Sequence, residues 1–331
     1  MRRVLPAAAV IGCLLFCRLV GPAAAETVSL RYGQAFSAER SIFSLPVHVA
    51  DRHGDFAREG LAVRQYFIPG GAEKMIEALS DDTVDVTHVA TPFLIQSALK
   101  GADVVAIAAE FNNPIYSLVA KPEIRGFADL NGKLVGMADE GGTIAISIRK
   151  LLALNGLRDG DFQVKTISGT PSRLSCLKRG ACDAVPLGQP QDIAAQAEGY
   201  RLLGLSSDAV PAYLYTVTAA QRSWAAAHKD IVVRYVRALA SAFQFIRDPA
   251  NRDAVAATIV ETSGFSDVEA RRTLALFFEP ERNVMPKRGE IDLNGLRQTI
   301  ALMTEGGQLP APPPDADRFV DLQYLRAAGV Q

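Results

Sequence analysis

This sequence of 331 residues has few of the residue patterns that announce chemistry. It holds four histidines (His48, His53, His88 and His228), one tryptophan and four cysteines. No histidine stands at ligand spacing from another or from a cysteine, so no metal site is legible. There is no HExxH, no GxSxG, no GxxxxGK phosphate loop and no GxGxxG opening a helix. Zinc proteases, serine hydrolases, P-loop nucleotide enzymes and dinucleotide enzymes therefore drop out, and no catalytic residue or cofactor is expected. Basic runs are also missing, which argues against nucleic acid or an anionic membrane surface as partner. Beyond the N-terminus no stretch is long and uncharged enough to cross a bilayer.

What is present is globular composition, 49% hydrophobic and 21% charged, with length for two compact domains. The N-terminus reads as a secretory signal peptide, residues 1–25. Arg2 and Arg3 precede an apolar run over 4–20, and Ala23, Ala24 and Ala25 form a small-residue cleavage site before Glu26. A single uncleaved anchor is the competing reading, disfavoured by the short run and its interruption at Arg18. Taking those three arginines from 35 basic residues leaves 32 against 36 acidic ones, a net charge of −4 for the exported chain. Cys13 and Cys17 leave with the leader. Cys176 and Cys182 remain, and their spacing fits either one small disulfide loop or two buried thiols.

The chain is organised around KLVGMADEGGTIAISIRKLL, residues 133–152. It predicts a short buried strand over 133–137, a turn over 138–142 and a helix opening near Thr143. Ile144, Ile148, Leu151 and Leu152 recur at helical spacing and mark the face that packs on a sheet. The turn glycines leave the first helical N–H groups uncovered, an end suited to a carboxylate, a sulfonate or a polar carbonyl. Alone, the same stretch reads first as an ordinary strand-to-helix connection. Asp139 and Glu140 read as acids of the helix's first turn, favourable to its dipole, with a catalytic carboxylate pair as the competing reading.

Strands are expected over 28–32, 62–68, 84–89 and 104–109, alternating with helices. The pattern restarts with strands over 115–120, 133–137, 163–167, 184–187 and 202–205. IPGGAEKMIEALSDDTVDVTHVATP in the first half has its counterpart in ISGTPSRLSCLKRGACDAVPLGQP in the second. Each runs from an isoleucine through a glycine turn and a helix to an aspartate entering a strand, then to a Thr-Pro or Gln-Pro exit. Two lobes of like α/β architecture follow. A strand over 213–218 opens a mostly helical remainder. Val232, Tyr235, Val236, Leu239, Phe243 and Ile246 mark one long amphipathic helix, with Trp224 a packing residue at its start. Ser266 and Glu269 form a capping box for a later helix. His88, on a buried strand, reads as a hydrogen-bonded core residue.

The loops at the carboxyl ends of these strands are 34–44, 69–72, 90–93, 111–113, 139–143 and 188–190. That edge is where open α/β sheets bind ligands. A lining of Gln, Asn, Thr, Ser and aromatic rings suits a small polar or partly aromatic molecule. No arginine lies within these loops except Arg40, with Arg173 nearby, which points to a neutral or weakly anionic ligand.

Three sets of residues then resemble a known family. They are Ser44-Leu45-Pro46-Val47-His48-Val49-Ala50 followed by Gly54-Asp55-Phe56 and Glu59-Gly60-Leu61-Ala62-Val63, then Asp129-Leu130-Asn131-Gly132-Lys133-Leu134-Val135-Gly136, and Gly180 with Asp183-Ala184. The family comprises the substrate-binding proteins of ABC importers for taurine, alkanesulfonates, nitrate and thiamine-pyrimidine precursors. The resemblance implies a type II periplasmic binding protein fold, two lobes with mostly parallel sheets joined by two hinge strands. Lobe 1 would be 26–113 with 210–331, and lobe 2 would be 114–209. It further implies a periplasmic, monomeric, non-enzymatic protein that closes on a small molecule and delivers it to inner-membrane permease subunits. Carried over by position, Gly71 and Thr143 would offer helix-end donors, and Gln34, Thr91, Asn112 and Gln189 side-chain hydrogen bonds. Phe36, Phe43, Phe93, Phe111 and Tyr213 would be aromatic walls, with Ser44, Gly70, Gly141 and Gly142 in the same loops. Two alternatives remain: a ligand sensor for a signalling receptor, and a same-fold enzyme of the thiamine-pyrimidine type. The cysteine-rich motif of those synthases is absent.

Overall fold

The structure is a computed structural model that describes residues 27–35, 41–210 and 212–330. The expected signal peptide lies outside the described residues. Among the described residues ten strands form two five-stranded sheets. The first holds β1 (Val28–Ala35), β2 (Leu61–Ile68), β3 (Val86–Ala90) and β4 (Val104–Phe111). The second holds β5 (Ser117–Ala120), β6 (Leu134–Met137), β7 (Gln163–Thr166), β8 (Ala184–Leu187) and β9 (Arg201–Leu205). β10 (Thr216–Gln221) returns to the first sheet.

The orders are β2-β1-β3-β10-β4 and β7-β6-β8-β5-β9, the same pattern twice. β1 runs parallel to β2 and β3, and β6 runs parallel to β7 and β8. β10 is antiparallel to both its neighbours, and so is β5. The sheets are thus mixed. Four strands of each share a direction, as expected, and one is reversed. The reason is topological. Strands that share a direction end at the face between the lobes, and β5 and β10 are the strands by which the chain enters a lobe from that face. A strand entering there must run the other way. The same crossings explain why β5 starts at Ser117 and β10 at Thr216, later than the sequence predicts. Residues 112–116, and 206–210 with 212–215, lie between the two sheets.

The helical remainder encloses the first sheet. The helix Lys229–Arg247 buries Val232, Tyr235, Val236, Leu239, Phe243 and Ile246 in one stripe, the periodicity expected of a helix facing a core. The helix Arg252–Ser263 stops at Gly264, whose φ of 75° suits a residue without a side chain. Ser266 and Glu269 bond reciprocally at the start of the helix Asp267–Phe277. Trp224 belongs to a separate short helix, Arg222–Ala227, and stacks on His228. Cys176 and Cys182 are joined by a disulfide, with Cα atoms 5.4 Å apart. Among the described residues no helix is long and apolar enough to cross a membrane.

His88 is indeed satisfied within the core. Its Nδ1 lies 2.6 Å from Oε2 of the fully buried Glu110. The same carboxylate accepts from the hydroxyls of Tyr32 and Thr218.

Candidate functional site

The carboxyl ends of the strands meet between the two sheets, and polar side chains are buried there. Gln34, at the end of β1, donates from Nε2 to the Phe43 carbonyl while its Oε1 has no partner. Thr91 opens the helix Thr91–Leu99 after β3; its N–H reaches the Tyr215 carbonyl at 2.9 Å, but its hydroxyl bonds to nothing. Asn112, just past β4, donates to Asn283 and leaves Oδ1 unpaired. Gln189, past β8, donates to Asp192 and leaves Oε1 unpaired. Thr143 is the first residue of the helix Thr143–Leu154, and its hydroxyl lies beside that of Tyr213. Neither hydroxyl makes a hydrogen bond of good geometry.

All six of these side chains are buried. A buried polar atom without a partner costs about 1–3 kcal/mol, and native folds keep few of them. Such unpaired atoms at strand ends of both sheets make these residues the candidate site. Thr216, at the start of β10, adds a further unpaired hydroxyl that sequence reasoning did not find.

Aromatic rings pack among them. Phe43 lies at the centre, in the 3-10 turn Ile42–Ser44 that Ser41 caps. Its ring meets Phe111 edge-on at 5.0 Å, Tyr215 edge-on at 5.3 Å and Tyr116 in a stack at 5.7 Å. The Tyr116 and Tyr215 hydroxyls are 3.1 Å apart. Both tyrosines lie in the crossing segments, where the sequence reading took them for strand interior. The signal was available: each crossing carries an apolar residue followed by tyrosine (Ile115-Tyr116, Leu214-Tyr215) just before its strand. Burial pushes both phenols above their usual pKa, so they stay neutral donors.

The other expected residues are placed as follows. Ser44 is fully buried beside Phe43. Phe93 packs against the core of the first sheet, outside this ring cluster. Gly70 and Gly71 are exposed, at the rim, before the helix Ala72–Ser80. Phe36 lies outside the described residues. Gly141 and Gly142 matter through close approach. A Cβ on Gly142 would sit 2.6 Å from an Asp139 carboxylate oxygen, and one on Gly141 would sit 2.9 Å from Gln308. Asp139 folds back to accept the N–H of Gly142, the residue that caps the helix; contrary to expectation, neither it nor Glu140 is in the first turn, which holds no acid because the helix opens only at Thr143. Burial raises its pKa, opposed by that hydrogen bond and by Arg173.

Arg173, noted near these loops in the sequence, is a buried cation. Its side chain, on the helix Thr170–Lys178, is fully buried. Nε donates to the Pro186 carbonyl at 2.6 Å, Nη1 to the Ile167 carbonyl and Nη2 to the Thr170 hydroxyl, both at 3.1 Å. Cζ lies 5.9 Å from the Tyr116 ring centroid. A guanidinium is therefore built into the wall of this face. Nothing local in the sequence singles it out from other helix arginines.

The two lobes touch around the site. Arg282 bonds Ser207 and Asp208, Lys150 approaches Glu305 at 3.8 Å, and Glu73 acts electrostatically on Asp139. Among the described residues no group of His, Cys, Asp and Glu could hold a metal ion.

With this geometry in place, comparisons give three findings. The profile of the family described as "NMT1/THI5 like" matches residues 43–251. No curated protein matches the chain. Solved structures do, over nearly their whole length. The alkanesulfonate-binding protein SsuA from Xanthomonas axonopodis pv. citri, bound to MOPS, is similar at 19% identity and TM-score 0.67, covering 89% of this chain and 99% of that one. The periplasmic nitrate-binding protein NrtA from Synechocystis PCC 6803 is similar at 14% identity and TM-score 0.74, covering 92% and 89%. The desulfurization enzyme DSZB is similar at 16% identity and TM-score 0.64, covering 91% and 98%. At such identities the likeness carries the fold, the periplasmic binding protein fold, which serves binding proteins and at least one enzyme.

Proposed function

The chain belongs to the NMT1/THI5-like family, and from that premise we propose that it is the periplasmic substrate-binding protein of an ABC importer. It captures a small polar or aromatic organic molecule between two lobes, 26–113 with 210–331 and 114–209, and presents the closed form to inner-membrane permease subunits as a monomer. The exported location follows from the N-terminal segment read as a signal peptide. One observation carries the reading: buried polar atoms without partners stand on Gln34, Thr91, Asn112 and Thr216 at strand ends of the first sheet, and on Thr143 and Gln189 past strand ends of the second. A ligand that bonds both sets at once favours closure, because only the closed form offers both. Phe43, Phe111, Tyr116 and Tyr215 supply the apolar wall.

A thermal-shift screen of the purified protein tests this, with sulfonates, nitrate, pyrimidines, aromatic acids, amino acids and short carboxylates. The protein is first unfolded and refolded to strip bound cargo. A ligand at a hundred times its dissociation constant stabilises the fold by about 2.7 kcal/mol. The expected result is a saturable shift from one class, lost in Gln189→Ala and Thr91→Val without a fall in the midpoint of the unliganded protein. No shift from any class, or full affinity in both variants, overturns the reading.

A further inference from the structure

Phe43 stands apart from the other rings of the apolar wall. Phe111 ends β4, and Tyr116 and Tyr215 stand immediately before β5 and β10. Phe43 instead belongs to a turn of three residues, Ile42–Ser44, ahead of the helix Leu45–Arg52. The turn is closed by the Ser44 N–H on the Ser41 carbonyl at 3.1 Å. Phe43 itself is tied by two longer bonds. Its N–H reaches the Ser41 hydroxyl at 3.3 Å, and its carbonyl takes the Gln34 amide at 3.4 Å, both beyond the usual N–H···O range. What holds the residue is the seat of its ring, and Phe43 is only 5% exposed.

That seat spans both proposed lobes. Phe111 and Tyr215 meet the ring edge-on from lobe 1, and Tyr116 stacks on it from lobe 2. Gly188, also of lobe 2, is bare where the ring arrives. A Cβ there would sit 3.6 Å from the Phe43 ring and 3.3 Å from the Tyr116 ring. Three of these neighbours adjoin residues with unpaired buried atoms: Phe111 beside Asn112, Gly188 beside Gln189 and Tyr215 beside Thr216. A fourth such residue, Gln34, gives its amide to the Phe43 carbonyl. Phe43 thus engages the candidate site as a bound molecule would, through one carbonyl and one ring. Interiors are close-packed, so a cargo cannot lie against Tyr116 and Gly188 while that ring is there.

Magnitudes favour the ring over other contacts between the lobes. Lys150 and Glu305 are exposed and 3.8 Å apart, and Arg282 reaches a half-exposed Asp208. Such surface pairs shift an equilibrium by a factor of about one to five. Burying a phenyl ring shifts it about ten- to a hundredfold, and an aromatic pair adds a factor of about two to ten.

Resting on the binding-protein reading, we infer that Phe43 is an internal stand-in for cargo: its ring clasps lobe 2, keeps the unliganded protein closed, and must be displaced for cargo to bind. Affinity is then a competition. A compound that gains less from the site than the ring does is not retained.

Small-angle X-ray scattering and calorimetry test this on the wild type and Phe43→Ala, each unfolded and refolded to strip bound cargo. The wild-type curve is expected to match the one calculated from this structure, in which the lobes touch. Phe43→Ala is expected to show a larger radius of gyration with unchanged far-ultraviolet circular dichroism. The calorimetric probes are nitrate, methanesulfonate, benzoate and cytosine. Phe43→Ala is expected to bind the best of them at least about tenfold more tightly than the wild type, because apparent affinity rises with the fraction of molecules whose site is open to it. Where Phe43→Ala does not fold, Phe43→Leu keeps apolar bulk without the stack, and both changes are expected at smaller size. A wild type that is open in solution, or a radius unchanged in the variants, overturns the inference, because Phe43 is then no clasp. Weaker binding by the variants overturns it too, because the ring is then a wall that cargo keeps. The binding-protein reading survives each of these results. Silence from all four probes on both proteins overturns displacement by cargo; the binding-protein reading falls with it only if the wider panel is also silent.

Discussion

The two lobes are built on one strand order and held together by different means. Lobe 1, built on the first sheet, has strands of 5 to 8 residues and one continuous core that takes in the long helix Lys229–Arg247. Lobe 2, built on the second, has strands of only 4 or 5 residues, and its core is divided into a cluster on each face. The large lobe can bury a carboxylate, Glu110, among Tyr32, His88 and Thr218 because enough packing surrounds it. The small lobe carries the disulfide, between Cys176 and Cys182 in one of its two clusters. Small cores bury too little surface to be stable by packing alone, and a covalent staple compensates. The comparison teaches that a shared topology sets where a ligand can sit, while each half solves its stability separately.

Three substitutions can break or sharpen this contrast. Glu110→Ala strands two hydroxyls and an imidazole inside lobe 1, and a loss of about 3–5 kcal/mol is expected from urea denaturation. A loss under about 1 kcal/mol would show that the buried node is not what lobe 1 depends on. Cys176→Ser opens the loop between residues six apart in sequence, worth about 2 kcal/mol by chain entropy. Hydrogen exchange should show the loss in the amides of lobe 2 and not in β1 to β4; an equal loss in both lobes contradicts separate stabilisation. Lys150→Gln removes the exposed contact with Glu305 between the lobes, and less than about 0.5 kcal/mol is expected. A double-mutant cycle with Glu305→Gln measures it directly. A larger coupling energy would mean that surface charge, rather than the buried face, holds the lobes together.

Much of the fold was legible beforehand because it rests on local patterns. The strand over 184–187, the apolar stripe from Val232 to Ile246 and the capping box at Ser266 and Glu269 appear where periodicity and cap chemistry place them. The reversed strands were not legible, since a strand's direction in a sheet depends on where the chain enters. Loop positions pointed to Gln34, Thr91, Asn112, Thr143 and Gln189, and each of the five is buried with a polar atom left unpaired. The same reasoning passed over Tyr116 and Tyr215, because a tyrosine in an apolar strand reads as core. Gly70 and Gly71, grouped with the loops expected to face a ligand, lie exposed before the helix Ala72–Ser80. Gly142 was read as a turn residue, and its φ of −78° shows that room for Asp139 is what it provides.

By itself, then, the sequence determined the alternation of strands and helices, the doubled α/β pattern and which loops follow the carboxyl ends of the strands. These follow from side-chain periods and turn chemistry within a few neighbouring residues. Only the tertiary structure decided which polar atoms are left unpaired and which cation loses its water. Those outcomes depend on what residues 34, 43, 91, 112, 143, 173, 189 and 216 meet from across the chain. Desolvation is a property of the assembled surroundings, and no local pattern carries it.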